Sequence, residues 1–95
     1  MRLVISAAAR SDLKAIARYT ERKWTAAQAK TYLALISAHL AQLKRRPRMG
    51  APRDAIAPGY RSLPASRRLI FYRIARGAVI IVCVLHQSMD APLHL

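Results

Sequence analysis

The spacing of hydrophobic positions divides this chain into helical and extended segments. Residues 2–5 form a short apolar run, which predicts a strand. Ser6 follows where a helix N-cap belongs, and apolar positions then recur at Ala9, Leu13 and Ile16, as they do on one face of an α-helix. The beginning of the chain is therefore predicted to be a strand that leads directly into a first helix.

The helical pattern is interrupted once, at Trp24. Thr25 and Gln28 have the spacing of a capping box, in which each side chain bonds the other residue's backbone N–H. A second helical stripe follows, and Pro47 ends it after three basic residues that suit a helix C-terminus. The stripe consists of Ala29, Tyr32, Leu33, Ile36, Leu40 and Leu43. Together the two segments predict a helical hairpin with almost no loop.

The second half of the chain has the pattern of a β-meander. Residues 47–59 are rich in proline and glycine and predict a linker, and residues 60–63 predict a strand that Pro64 ends. Two further β-rich runs flank the dipeptide Arg76-Gly77, which predicts a hairpin with a two-residue turn. The second of these runs is apolar from 78 to 85, as expected for a strand covered on both faces.

This order of elements predicts the α+β class. An N-terminal strand, a helical hairpin and a three-stranded antiparallel meander would form one mostly antiparallel sheet with the helices on one side. Ninety-five residues, 54% of them hydrophobic, suit a single folded domain over residues 1–95. The apolar runs are too short for a membrane helix, and the single cysteine, Cys83, lies inside the apolar strand. We expect a cytoplasmic protein in which Cys83 is inert packing.

Charge adds a second constraint. Seventeen lysines and arginines stand against four acidic residues, which gives a net charge of +13. Such an excess favours an acidic partner, either nucleic acid or protein. The four carboxylates show no spacing of a general acid–base pair, and Asp12 suits the dipole near the start of the first helix. The histidines and Cys83 lack the spacing of metal ligands, so we expect no catalytic residue, no metal and no cofactor.

The arginines of the meander are the candidates for binding. Arg61 and Arg73 lie on different predicted strands that can be neighbours. Arg67 and Arg68 lie at the start of the second of these strands. Guanidinium groups stay charged and bind carboxylates or phosphates through two hydrogen bonds. Tyr60 adds a stacking surface, and His86, at the end of the last strand, is positioned to reach a site.

Two neighbouring residues of the first hairpin strand are predicted to lie on opposite faces of the sheet. Tyr72 alternates with Ile70 and Ile74, which predicts a core position facing the helices. Arg73 alternates with Phe71 and Leu69, so we expect it to be half-buried and to pair with a carboxylate from a partner.

Several short motifs in order give the chain a resemblance to the ParE toxins of bacterial toxin–antitoxin modules, within the RelE/ParE superfamily. The most specific are Pro58-Gly59-Tyr60-Arg61, Phe71-Tyr72-Arg73 and Leu85-His86 followed by Met89-Asp90. Further matching residues are Ser6, Ala9, Asp12, Leu13, Ile16, Tyr19, Trp24, Gln28, Ala29, Tyr32, Leu40, Leu43, Pro47, Met49, Gly50, Ile70 and Val84.

The resemblance implies a toxin that inhibits DNA gyrase without being an enzyme. It also implies a ParD-like antitoxin whose C-terminal segment wraps the toxin in a hetero-oligomer. On this interpretation Arg61, Arg73, Arg67, Arg68, Tyr60 and His86 contact the antitoxin or the target, and no membrane or specific DNA sequence is bound.

Two alternatives remain open. RelE-type relatives are ribosome-dependent messenger RNA endoribonucleases, and resemblance to them would call for a basic cluster and a C-terminal tyrosine or an equivalent acid or base. The last five residues contain no tyrosine, although His86 or His94 would be candidates for that role. A basic DNA-binding module without toxicity is the other alternative, and it ranks last because the chain shows no recognition-helix motif.

Overall fold

A computed structural model of the protein describes residues 1–86 and confirms the predicted α+β fold. The elements are β1 (Arg2–Ile5), α1 (Ala7–Lys23), α2 (Ala26–Arg45), β2 (Ala51–Pro52), β3 (Tyr60–Ala65), β4 (Arg68–Ala75) and β5 (Ala78–His86). Met89, Asp90 and His94, which the sequence analysis mentions, lie outside the described residues.

The strands form one five-stranded sheet in the order β1-β5-β4-β3-β2. Only β1 and β5 pair in parallel, and the other three pairings are antiparallel, so the sheet is mostly antiparallel as predicted. The predicted linker contributes the two-residue strand β2, which the sequence analysis missed because its proline and glycine content masks so short a pairing.

Local capping defines the helical hairpin. The Ser6 hydroxyl accepts a hydrogen bond from Ala9 N–H at 3.0 Å, as predicted for the α1 N-cap. Thr25 and Gln28 form both bonds of the predicted capping box at the start of α2. Since Trp24 alone separates the C-terminus of α1 from this cap, the two helices are joined with almost no loop.

Both helices pack on one face of the sheet. Their predicted stripes are the buried ones, apart from Leu13, Tyr32 and Leu33, which are partly buried. The buried residues of this core are Ala9, Ile16, Ile36, Leu40, Leu43, Leu63, Ala65, Ile70, Tyr72, Val79, Ile81 and Val84. The core position predicted for Tyr72 is confirmed.

A β-bulge in β5 changes which of its alternate residues face the helices. Phe71 of β4 pairs with Cys83, but the next residue, Tyr72, pairs with Ile81, so Val82 is an extra residue in β5. Ile81 therefore packs on the helix side, while Cys83 forms a second cluster on the opposite face. That cluster contains Phe71, Cys83 and Leu85, flanked by Ile56, Leu69 and Val82.

The β4–β5 turn is at Arg76 and Gly77, as predicted. Both residues have positive φ, 52° and 72°, as a type I′ hairpin requires. The prediction that Pro64 ends β3 is wrong, because β3 continues to Ala65 and Pro64 pairs with Leu69. Arg53 N–H donates a hydrogen bond to Tyr60 C=O. The even-numbered residues of β3 therefore direct their backbone N–H and C=O groups toward the side on which β2 lies. Since β2 pairs only with Arg61 and Ser62, Pro64 faces a side without a strand, where its missing N–H costs nothing.

Neither helix in residues 1–86 is both long and apolar enough to cross a membrane.

Candidate functional site

Side chains from α1 take the place of a strand beside the second half of β5. The pairing of β1 with β5 ends at Ile5 and Ile81. Beyond it, the Ser6 hydroxyl donates to the carbonyl of Val82 at 2.8 Å, and an Asp12 carboxylate oxygen accepts from Val84 N–H at 2.9 Å. Asp12 lies near the start of α1, as the sequence analysis expected, but in the second turn, since α1 begins at Ala7 and its first turn contains no acidic residue. Its carboxylate binds β5.

A groove lies next to this junction, between the helices and the end of the sheet where β4 begins and β5 ends. We call it the hairpin groove. One part of it, about 420 Å³, is lined by Tyr19, Thr20, Trp24, Tyr32, Ser66, Arg67, Arg68 and His86. An adjoining part of similar volume shares Tyr19, Arg68 and His86 and continues along Asp12, Ala15, Ile16 and Val84.

The hairpin groove brings together three of the predicted binding residues. Arg68 and His86 are direct cross-strand partners, and Arg67 lies in the turn that precedes β4. The Nε atom of Arg68 is buried and has no hydrogen-bond partner. A buried N–H without a partner carries a free-energy cost, and no acceptor for this one lies among residues 1–86.

The helical side of the groove is aromatic and exposed. The rings of Trp24 and Tyr32 meet edge to face at a centroid distance of 5.3 Å. Trp24 and Leu35 each expose 42% of their surface, and Tyr19 exposes 52%. Trp24 and Tyr32 also border an apolar depression of about 800 Å³ on the outside of the hairpin, lined further by Ala27, Gln28, Thr31, Ala34 and Leu35.

The sequence analysis did not identify this aromatic surface as a binding surface. Trp24 lies at the C-cap of α1, where the helix no longer determines the direction of its side chain. The position of Trp24 in the sequence could have indicated its exposure. A large apolar side chain at a break between two helices has no neighbouring helical turn to cover it.

Arg61 lies away from the groove. Its Nη1 donates to the carbonyls of Gly50 at 2.7 Å and Arg48 at 3.2 Å. Nearby, the Tyr72 hydroxyl donates to Pro47 C=O at 2.7 Å and accepts from Gly50 N–H at 2.9 Å. Burial raises the pKa of Tyr72, so the hydroxyl keeps the proton that it donates. Together these contacts hold the segment that follows α2 against β3 and β4.

Tyr60 and Arg73 are direct cross-strand partners near the opposite end of the sheet. Arg73 is exposed, so the expectation that it is half-buried is wrong. The apolar cluster around Phe71 and Leu69 does not extend over Arg73, which lies farther along β4 toward the turn. The candidate residues therefore fall into three places: the hairpin groove, the loop contact of Arg61, and the open face of the sheet.

Residues 1–86 offer little for acid–base or metal chemistry. Asp12 is bonded to Val84, Asp54 accepts from Gly59 N–H at 2.8 Å, and Glu21 is exposed on α1. Burial, and secondarily the charge of Asp12, raise the pKa of Cys83 to about 11, so its thiol is protonated at neutral pH. The described residues contain no group of three or more histidine, cysteine or acidic side chains able to hold a metal ion.

Comparisons with known proteins agree on one family. The family described as "ParE toxin of type II toxin-antitoxin system, parDE" matches residues 3–91. Toxin ParE1 of Caulobacter vibrioides is 36% identical over 91 residues, which cover 96% of this chain and 94% of that relative. Toxin ParE1 of Mycobacterium tuberculosis is 37% identical over 95 residues, which cover 99% of this chain and 97% of that relative.

A solved structure supports the fold. The chromosomal ParDE toxin–antitoxin system from P. aeruginosa contains a chain that superposes with a TM-score of 0.79 at 22% identity. The superposition covers 90% of this chain and 95% of the other.

Proposed function

Because this chain belongs to the ParE toxin family of type II toxin–antitoxin systems, we propose that it inhibits DNA gyrase by binding and that a ParD-like antitoxin neutralises it. We propose further that the two form a hetero-oligomer in the cytoplasm and that residues 1–95 are a single toxin domain. The observation that carries the proposal is the hairpin groove, which offers aromatic and cationic surface to a partner.

The groove fits the antitoxin because one side of it is aromatic and the other side is positively charged. Trp24, Tyr32 and Leu35 expose apolar surface on the helical hairpin, as an amphipathic helix requires of a docking site. Arg67 and Arg68 face it from the sheet and supply positive charge. A segment that alternates apolar and acidic residues, and that folds when it binds, would satisfy both sides.

Inhibition by binding is supported by the contact that the carboxylate of the groove makes. A ribonuclease needs one group that takes a proton from the 2′-hydroxyl and another that returns one to the leaving oxygen. Asp12 and His86 line the same part of the groove, but the Asp12 carboxylate is bonded to a backbone N–H of β5. The Asp12 carboxylate is therefore used to hold α1 against β5, which argues against it as a proton-transfer group.

The remaining candidate residues have subsidiary roles in this proposal. Arg61 contacts a partner only through Nε and Nη2, since its Nη1 is bonded to two backbone carbonyls. Tyr60 and Arg73 contact a partner on the open face of the sheet.

The test measures gyrase directly. Purified toxin is added to gyrase, relaxed plasmid and ATP, and supercoiling and double-strand cleavage are followed on gels. We expect supercoiling to fall and cleaved DNA to accumulate, and we expect both effects to disappear when the co-expressed antitoxin is added. Unchanged supercoiling with no cleaved DNA would refute gyrase as the target.

The ribonuclease alternative has one supporting observation, which is the placement of His86 beside Arg68. Messenger 5′ ends are mapped after induction of the wild-type toxin and of His86→Ala. New ends at ribosome-bound codons that vanish in the variant would establish cleavage and overturn inhibition by binding. Identical ends before and after induction would exclude this alternative.

A further inference from the structure

Within residues 1–86, the outer edge of β1 is less protected than the other edges of the sheet. At one side, β2 is only two residues long and contains Pro52, which gives little backbone for another strand. At the other side, Ser6 and Asp12 occupy the edge of β5 beyond β1. The outer edge of β1 is left without either device.

The outward backbone groups of β1 are identified by the register. Arg2 N–H donates to Gly77 C=O, and Ser6 N–H donates to Ile81 C=O, so residues 2, 4 and 6 direct their backbone groups toward β5. Leu3 and Ile5 alternate with them and direct N–H and C=O away from the sheet. Within residues 1–86 these outward groups have no hydrogen-bond partner.

The side chains beside this edge select the charge of whatever pairs with it. Leu3 and Ile5 pack on the core, so Arg2 and Val4 lie on the opposite, open face. There Arg2, Arg73 and Arg76 surround an apolar floor formed by Val4, Ala75, Ala78 and Ile80. Val4 exposes 40% of its surface. Three guanidinium groups around a small apolar floor fit a segment that carries acidic and apolar side chains.

We propose that β1 accepts an added β-strand from the antitoxin, and that acidic side chains of this strand contact the part of the arginine cluster next to β1, at Arg2 and Arg76. The inference rests on the proposed antitoxin partner and specifies how part of it binds. Strand addition gains affinity from main-chain hydrogen bonds and specificity from alternate side chains.

A second copy of this chain is a poor occupant of the same edge. Pairing two β1 strands would bring the Arg2 side chains and arginine clusters of two chains together, each chain carrying a net charge of +13. Like charges opposed in this way disfavour the pairing. The edge therefore selects a partner of opposite charge.

The first test is amide hydrogen exchange, followed by NMR on the labelled toxin alone and in complex with the co-expressed antitoxin. Exchange at Leu3 and Ile5 should slow at least about tenfold in the complex, equivalent to about 1.4 kcal/mol. Val4 is the internal control, since its N–H is already bonded to β5 in the uncomplexed chain. Formation of the complex with unchanged exchange at Leu3 and Ile5 would overturn this inference alone, whereas failure to form any complex would overturn the proposed antitoxin as well.

The second test reverses the charge of the cluster. The double variant Arg2→Glu, Arg76→Glu should weaken the antitoxin complex about tenfold or more, because like charges would then face each other. The matched control, Arg10→Glu with Arg18→Glu, makes the same charge change on exposed positions of α1 and should have at most about a twofold effect. Equal effects of the two double variants would show that only net charge matters and would contradict the proposal.

Discussion

An Asp12 carboxylate oxygen accepts a hydrogen bond from the backbone N–H of Val84 at 2.9 Å, joining positions that are 72 residues apart in the chain. The bulge at Val82 and the end of β1 together leave this N–H without a strand partner. One carboxylate therefore fastens α1 to the end of β5 that forms the floor of the hairpin groove.

Replacing Asp12 should therefore destabilise the fold. Asp12→Ala leaves a partly buried N–H unsatisfied and should lower the free energy of unfolding by about 1–3 kcal/mol. Asp12→Asn, which keeps an acceptor oxygen, should lose less. Urea denaturation followed by circular dichroism measures both, and Glu21→Ala is the control for removing an exposed acidic residue from the same helix. A loss no larger than that of Glu21→Ala would show that the bond contributes nothing.

The Tyr72 hydroxyl should also contribute to stability. Tyr72→Phe removes the acceptor for Gly50 N–H and the donor to Pro47 C=O, and the expected loss is about 1–3 kcal/mol. Tyr60→Phe makes the same chemical change at a hydroxyl without a partner among residues 1–86 and should cost no more than about 0.5 kcal/mol. Thermal and urea unfolding of the two variants compare the effects. Equal losses would mean that the Tyr72 contacts are not stabilising.

Cys83 should make the fold sensitive to alkaline pH. Its folded pKa is about 11, against an ordinary value of 9.0, so the unfolded chain gives up this proton first. The corresponding stability is present below pH 9 and is lost progressively between pH 9 and about 11. Unfolding free energies of the wild type and Cys83→Ala, measured by urea titration across this interval, should therefore converge as pH rises. A constant difference between them would contradict the shifted pKa.

Arg68 should be the most sensitive position in the groove. Arg68→Gln removes the guanidinium whose Nε is buried without a partner and should weaken antitoxin binding by about 2–5 kcal/mol. Arg68→Lys keeps the charge but loses the planar fork, so its effect should be intermediate. Isothermal titration calorimetry gives the dissociation constants, and Arg18→Gln, at an exposed position of α1, is the control. Binding equal to that of the wild type would remove Arg68 from the interface.

Local chemistry made the predicted elements reliable. Ser6, Thr25 and the Arg76-Gly77 turn each act within four residues, so the sequence alone determines the helix starts and the hairpin. The periodic stripes of the helices likewise identified the buried face, because every turn of a helix returns to the same side.

Features that depend on distant pairing were not predictable in this way. The exposure of Arg73 depends on where the apolar cluster of the open face ends, and the continuation of β3 through Pro64 depends on the short reach of β2. The role of Asp12 depends on a bulge in a strand at the other end of the chain. None of these relationships leaves a pattern within the local sequence.

β5 lies between β1 and β4 in the sheet and pairs in parallel with β1. Among the described strands, it is the last to be synthesised. During synthesis on the ribosome, β1 and the meander must therefore wait for residues 78–86 before the sheet can close. Contacts between such distant parts of a chain form late because they must first overcome a large loop entropy. Translation that stops before Ala78 consequently yields a chain whose first strand has no strand to pair with, so the sheet of residues 1–86 is complete only after residues 78–86 have been made.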